Sequence, residues 1–205
     1  MGTFSTETDI ANSALIKLGR DLVTSIDDDN ESARVCKARL PFVRDEVMRS
    51  HTWNFATKRV ALAKTLNTPV YDYTNEFQLP SDVLRVITTN LIDFPFGSDK
   101  TVTTTFGVAS PPWVIEGDKL LANDSEVKIL YIFRQTDISK WTSDFGEVCA
   151  FRLAVDLCYR LTQNTALLKE LKADFKHQLA LARAFDAQEK GPDSVSTTDW
   201  IDARI

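Results

Sequence analysis

Histidine, cysteine and glycine are scarce in this chain. Two histidines, three cysteines and seven glycines occur among 205 residues, and each scarcity excludes something. Two imidazoles leave little for a His-based metal site, and neither an H-E-x-x-H nor a C-x-x-C pair is present. Three scattered cysteines cannot all pair, which fits a reducing compartment rather than a disulfide scaffold. With so few glycines there is no G-x-G-x-x-G, no P-loop and no G-x-S-x-G, so the common phosphate cradles and the nucleophile elbow are missing. No apolar run nears the roughly 18 residues of a membrane span. The opening stretch MGTFSTETD has neither a basic nor an apolar segment, so no secretory signal is expected. A face that grips DNA sequence-specifically is basic, whereas this chain has no Lys/Arg cluster and a net charge of -5.

What is present is ample apolar material, 43% of the residues. A chain of this length can bury roughly 70% of its unfolded surface, which suits one compact domain or one domain with a sizeable insertion. Ile10, Ala14 and Leu18 recur four apart beside Ala11 and Leu15, and Gly19 stands where a left-handed cap would end a helix over 6–18. The acidic run Asp27-Asp28-Asp29-Asn30-Glu31 lacks the alternating ligands and central glycine of a calcium loop. It reads instead as a helix N-terminus, where acidic groups accept from free N–H groups. The helix after it carries Ala33, Cys36, Leu40, Val43 and Val47 on one stripe, and Pro41 inside it should kink or divide it. Arg39, Arg44 and Arg49 fall on its polar sides.

The texture then changes to Thr, Val, Tyr and Phe. Strands are expected at 59–64, 71–78, 84–89, 102–106, 113–116, 119–121 and 127–133, with a hairpin turn at Gly117-Asp118. Helical texture returns near Thr142. Residues 145–161 are apolar on most sides, with Arg152, Asp156 and Arg160 as a polar stripe able to pair along the helix; such a helix is central. Cys149 and Cys158 lie half a turn out of phase and cannot meet. A last helix over 166–188, with Leu168, Leu171, Phe175, Ala182 and Phe185 spaced for burial, should run antiparallel to it. The expected fold is therefore α+β: a four-helix antiparallel bundle with a mid-chain antiparallel β insertion and an extended C-terminal tail. Residues 1–58 and 136–190 make the discontinuous bundle, 59–135 the β insertion and 191–205 a docking tail. That tail is polar except for Trp200, Ile201 and Ile205, the composition of a peptide that anchors in a partner.

Chemistry is hard to find. His51, at a helix end before Trp53, suits capping or packing, and His177 is expected to be solvated. The cysteines occupy apolar helical positions, as inert core residues do. Twenty-nine acidic residues always allow some carboxylate pair to be picked, so picking one means little. No catalytic, cofactor-binding or metal residue is assigned, and no enzyme is expected.

Several stretches go beyond pattern. They are Ile10-Ala11-Asn12-Ser13-Ala14-Leu15-Ile16-Lys17-Leu18-Gly19, Arg44-Asp45-Glu46-Val47, Ser50-His51-Thr52-Trp53-Asn54-Phe55-Ala56-Thr57-Lys58-Arg59, and Phe77-Gln78-Leu79-Pro80-Ser81-Asp82-Val83-Leu84-Arg85-Val86. To these add Leu130-Tyr131-Ile132-Phe133-Arg134 and the ending Trp200-Ile201-Asp202-Ala203-Arg204. In this order they resemble the head-to-tail adaptor of tailed phages, the tail tubular protein A family of short-tailed phages. The resemblance spans nearly the whole chain, apart from 91–112. It implies a structural virion protein made in the host cytoplasm and used at the head–tail junction. Its copies, usually twelve, would form a ring between the portal protein and a downstream tail nozzle protein. Genome DNA would pass non-specifically through the lumen, with no membrane involved. Trp200, Ile201, Arg204 and Ile205 would dock on the portal. The same resemblance leaves an enzymatic alternative, a tail-associated cell-wall or polysaccharide hydrolase; a small scaffold unrelated to phage is a third.

Overall fold

The computed structural model describes residues 4–91, 102–103 and 109–189. Helix α1 (Glu7–Lys17) starts in a capping box: the Thr6 hydroxyl accepts from the Asp9 N–H, and the Asp9 carboxylate accepts from the Thr6 N–H at 2.9 Å. It stops before Gly19, whose φ of +64° is the left-handed cap that the sequence calls for. Helix α2 (Glu31–Arg49) starts at Asn30, whose Oδ1 accepts from the Ala33 N–H at 2.7 Å. It runs through Pro41 undivided. Pro41 lies on the exposed side, where the carbonyl it leaves unbonded is open to water.

Helix α3 (Ser143–Thr162) is capped by Thr142, and helix α4 (Thr165–Gln188) by Asn164. Gln163 turns the chain between them at a φ of +52°, so α4 runs back along α3. Cys149 and Cys158 point to opposite sides of α3, and both are fully buried because neighbours pack on α3 from more than one side.

The strands are β1 (Thr57–Ala61), β2 (Ala63–Lys64), β3 (Asn75–Gln78), β4 (Val83–Thr89), β5 (Val102–Thr103), β6 (Ala109–Ser110), β7 (Trp113–Glu116), β8 (Lys119–Ala122) and β9 (Lys128–Phe133). All pairings are antiparallel. A three-stranded sheet has the order β1-β9-β4, a four-stranded sheet the order β2-β3-β8-β7, and β5 pairs with β6. Gly117, at a φ of +62°, and Asp118 make the two-residue turn between paired Glu116 and Lys119.

Strand β9 joins two cores by its period of two. Ile132 points into the helical core together with Leu84 and Ile87. Ile129, Tyr131 and Phe133 point the other way, against Phe77, Leu79 and Leu120. The molecule is thus layered: helices, three-stranded sheet, four-stranded sheet.

This corrects the expected four-helix bundle, although the α+β class holds. Helices α1, α2 and α4 each pack on α3, and α1 touches α2, but α4 makes no comparable contact with α1 or α2. The remaining wall is the three-stranded sheet. A helix apolar all round recruits neighbours on every side, whereas α4 has one buried stripe and so only one partner helix. Its buried residues are Leu171, Ala182 and Asp186.

Smaller differences follow the same logic. The expected strand at 59–64 breaks at Leu62, where the chain leaves one sheet for the other. The strand expected over 71–78 keeps only Asn75–Gln78, since Asp72 has a left-handed φ of +64°. Arg152 and Asp156 pair along α3 at 3.1 Å, but Arg160 reaches across to Glu31 of α2 instead. The strand expected at 102–106 lies only partly, and the tail 191–205 wholly, outside the described residues.

Candidate functional site

The stretch after α2 is the joint between helices and sheets. Trp53 is buried at 1% exposure and donates its indole N–H to the Val47 carbonyl at 3.0 Å. Its ring meets Phe145 edge-on at 5.2 Å, and Phe145 in turn meets Phe55 and Trp141 edge-on, each at 4.9 Å. A short turn, Asn54–Ala56, then leads directly into β1.

Asp186, near the end of α4, closes the joint from the other side. Its side chain is 4% exposed. It accepts the Asn54 N–H at 2.8 Å and lies 3.0 Å from His51 Nε2. The Asn54 amide donates to the Asp186 carbonyl at 2.7 Å, and Arg183 donates to the Ser50 carbonyl at 3.0 Å. His51 also stacks edge-on against Trp53 at 4.9 Å. No motif in the sequence marks Asp186. The legible signal was its spacing, since it continues the apolar stripe of Leu171, Phe175 and Ala182 where a solvated carboxylate does not belong.

A second node lies on the sheet side. Asp45 of α2 accepts from Arg134 at 2.8 Å and from Arg44 at 2.9 Å. The Arg134 N–H donates to the Asp82 carbonyl at 2.8 Å. The Asp82 carboxylate accepts from the Tyr131 hydroxyl at 3.2 Å and faces Lys58 at 3.5 Å. Burial first, then the Asp82 charge and hydrogen bond, push the Tyr131 hydroxyl up to about 12. Along the α2–α3 seam, Arg39 pairs with Asp156 and Arg152 with Glu46, so this face is a neutral ladder of alternating charge.

These nodes hold elements together; they do not assemble an acid and a nucleophile. Burial pushes Cys36 up to about 11, and Cys149 also upward, so neither supplies a thiolate near neutrality. His177 is exposed on α4. Among the described residues no group of His, Cys, Asp and Glu is arranged to hold a metal ion, and no helix is long and apolar enough to cross a membrane. The portal-docking residues expected from the sequence, Trp200, Ile201, Arg204 and Ile205, lie outside the described residues. The last described residue, Glu189, follows directly on the Asp186 clamp. No protein-family model matches this chain, and no curated protein matches it.

Proposed function

We propose that this chain is a head-to-tail adaptor: a non-enzymatic ring subunit that joins a phage portal to the tail below and lets DNA pass. One observation carries the reading beyond resemblance of sequence. Four of the stretches that resemble the adaptor family, separated by up to 90 positions in the chain, meet in one helix–sheet joint. Trp53 bonds Val47, Arg134 bonds both Asp45 and Asp82, and Lys58 faces Asp82. Among them Arg134 ties α2 to the end of β9, which limits how far the helical layer and the sheet can tilt against each other. A ring stave needs that property, because an angular error repeats at every copy and keeps the ring from closing.

The rest of the reading follows from physical chemistry. An excess of acid discourages phosphate from sticking, since affinity for DNA scales with the phosphates neutralised. Repetition of the tail's contact with the portal around the ring would supply avidity. Light scattering of the purified chain, with and without a phage portal protein, tests this. The expected result is a monomer or weak associate alone and a ring on the portal; no portal-dependent ring sinks the proposal. Deleting 193–205 should abolish attachment while the circular dichroism spectrum stays unchanged.

A further inference from the structure

Two surfaces of the sheets carry exposed apolar groups that no other described residue covers, and they are opposite in charge. The first is the loop between β2 and β3. Leu66, Val70 and Tyr71 stand out from it, exposed to 104%, 97% and 70%. The base of this loop is braced. The Thr65 N–H donates to the Glu76 carbonyl at 2.8 Å, the Tyr73 hydroxyl to the Pro111 carbonyl at 3.0 Å, and the Thr74 N–H to Asn123 Oδ1 at 2.9 Å. Apolar side chains held out on a braced loop have already lost much of the freedom that docking would remove. Beside them lies a cleft of about 480 Å³, and its charged lining residues, Asp72, Glu76 and Glu116, are all acidic; Glu76 has Lys119 at 3.7 Å.

The second surface is an overhang of the three-stranded sheet. On the face turned away from the four-stranded sheet, the helices cover Ile132. The next rungs extend past them, Arg59 beside Leu130 and Thr88, then Ala61 beside Lys128. They line an open, mostly apolar cleft of about 430 Å³ whose charged residues, Arg59 and Lys128, are both basic. Lys128 has Glu126 at 3.1 Å. Arg59 is exposed and has no ion-pair partner among the described residues.

We infer that the β2–β3 loop of one copy seats in the sheet overhang of the next copy. Val70 and Tyr71 lie on Leu130 and Ala61, and Arg59 faces Glu116. The occupant is a second copy because each surface supplies what the other lacks, a projection for a recess and acid for base. The two surfaces differ, so the contact is head-to-tail, the kind that repeats into a ring or a filament. The charges at its rim set partner and register more than affinity. Only the closure of this contact into a ring rests on the adaptor reading; the contact itself stands on the two surfaces.

Cross-linking between full-length copies tests it. Val70→Cys chains are mixed with differently tagged Thr88→Cys chains and treated with a short bismaleimide; the native cysteines described above are buried. Mixed dimers should form only when both variants are present. In sedimentation, Tyr71→Glu and Arg59→Glu should each weaken self-association about tenfold or more. Adding Glu116→Lys to the Arg59→Glu chain should restore it, which a merely structural defect would not allow. Absence of the mixed dimer, or association unchanged by both single substitutions, overturns the contact, including the case in which another segment of the same chain fills the overhang. Normal rings on the portal from Tyr71→Glu chains would overturn the contact and leave the adaptor reading. The expected cross-link with no ring on the portal would overturn the adaptor reading and leave the contact.

Discussion

Asp186 ties the last helix to the joint through one carboxylate, and a single substitution tests how much that matters. Asp186→Ala removes the acceptor of the partly buried Asn54 N–H and should cost about 1–3 kcal/mol in urea unfolding. Asp186→Asn keeps an acceptor and the shape, and should cost less. Gly146 poses a different case. A Cβ there would overlap the Phe4 ring, so Gly146→Ala should destabilise by about 1–3 kcal/mol, as overpacking does. The cost should shrink in a Phe4→Ala background, and equal costs in both backgrounds would show that the two residues are not coupled. The buried thiols add a pH signature. Cys36 keeps its proton in the fold up to about 11, whereas its ordinary value is 9.0. Its contribution is whole below the ordinary value and is lost as pH rises through the folded value. Stability should therefore decline from about pH 9 upward, less steeply in a Cys36→Ala chain. A urea midpoint that stays level across that alkaline range would contradict the assignment.

The helices are legible because their signals are local. Thr6, Asn30, Thr142 and Asn164 cap where short polar side chains reach free N–H groups, and the buried positions of α2 are those of its apolar stripe with Met48 added. Pro41 is the exception. A helix interior disfavours proline by about 3 kcal/mol relative to alanine, yet α2 continues through it because the ring lies on the exposed side. Pro41→Ala should raise the unfolding free energy by about 1–3 kcal/mol, measurable as a higher urea midpoint. An unchanged or lower midpoint would mean that α2 needs the proline's geometry. Strands are less legible. Tyr71 and Tyr73 alternate as a strand would, but the left-handed Asp72 between them makes a braced loop. Val60 and Lys64 read as parts of one strand, although β1 and β2 belong to different sheets.

The two faces of β9 line both cores, which argues for a single folding unit. Ile132 belongs to the helical core and Tyr131, its neighbour, to the core between the sheets. Heating should give one transition with matching calorimetric and van't Hoff enthalpies. Ile132→Ala should lower stability by about 2–5 kcal/mol and shift the whole transition, whereas two separate transitions would mean that the layers fold independently. By itself the sequence determined the α+β class, the helices and their caps, and the Gly117 turn. Those properties depend on residues within a few positions of one another. Only the tertiary structure decided that α3 is a hub rather than one of four equal helices, that a sheet forms the last wall, and that Asp186 and Asn54 meet. The reason is that a pattern states which face of an element is apolar, while burial has no direction of its own. Which neighbour covers that face depends on how all the faces can be covered at once.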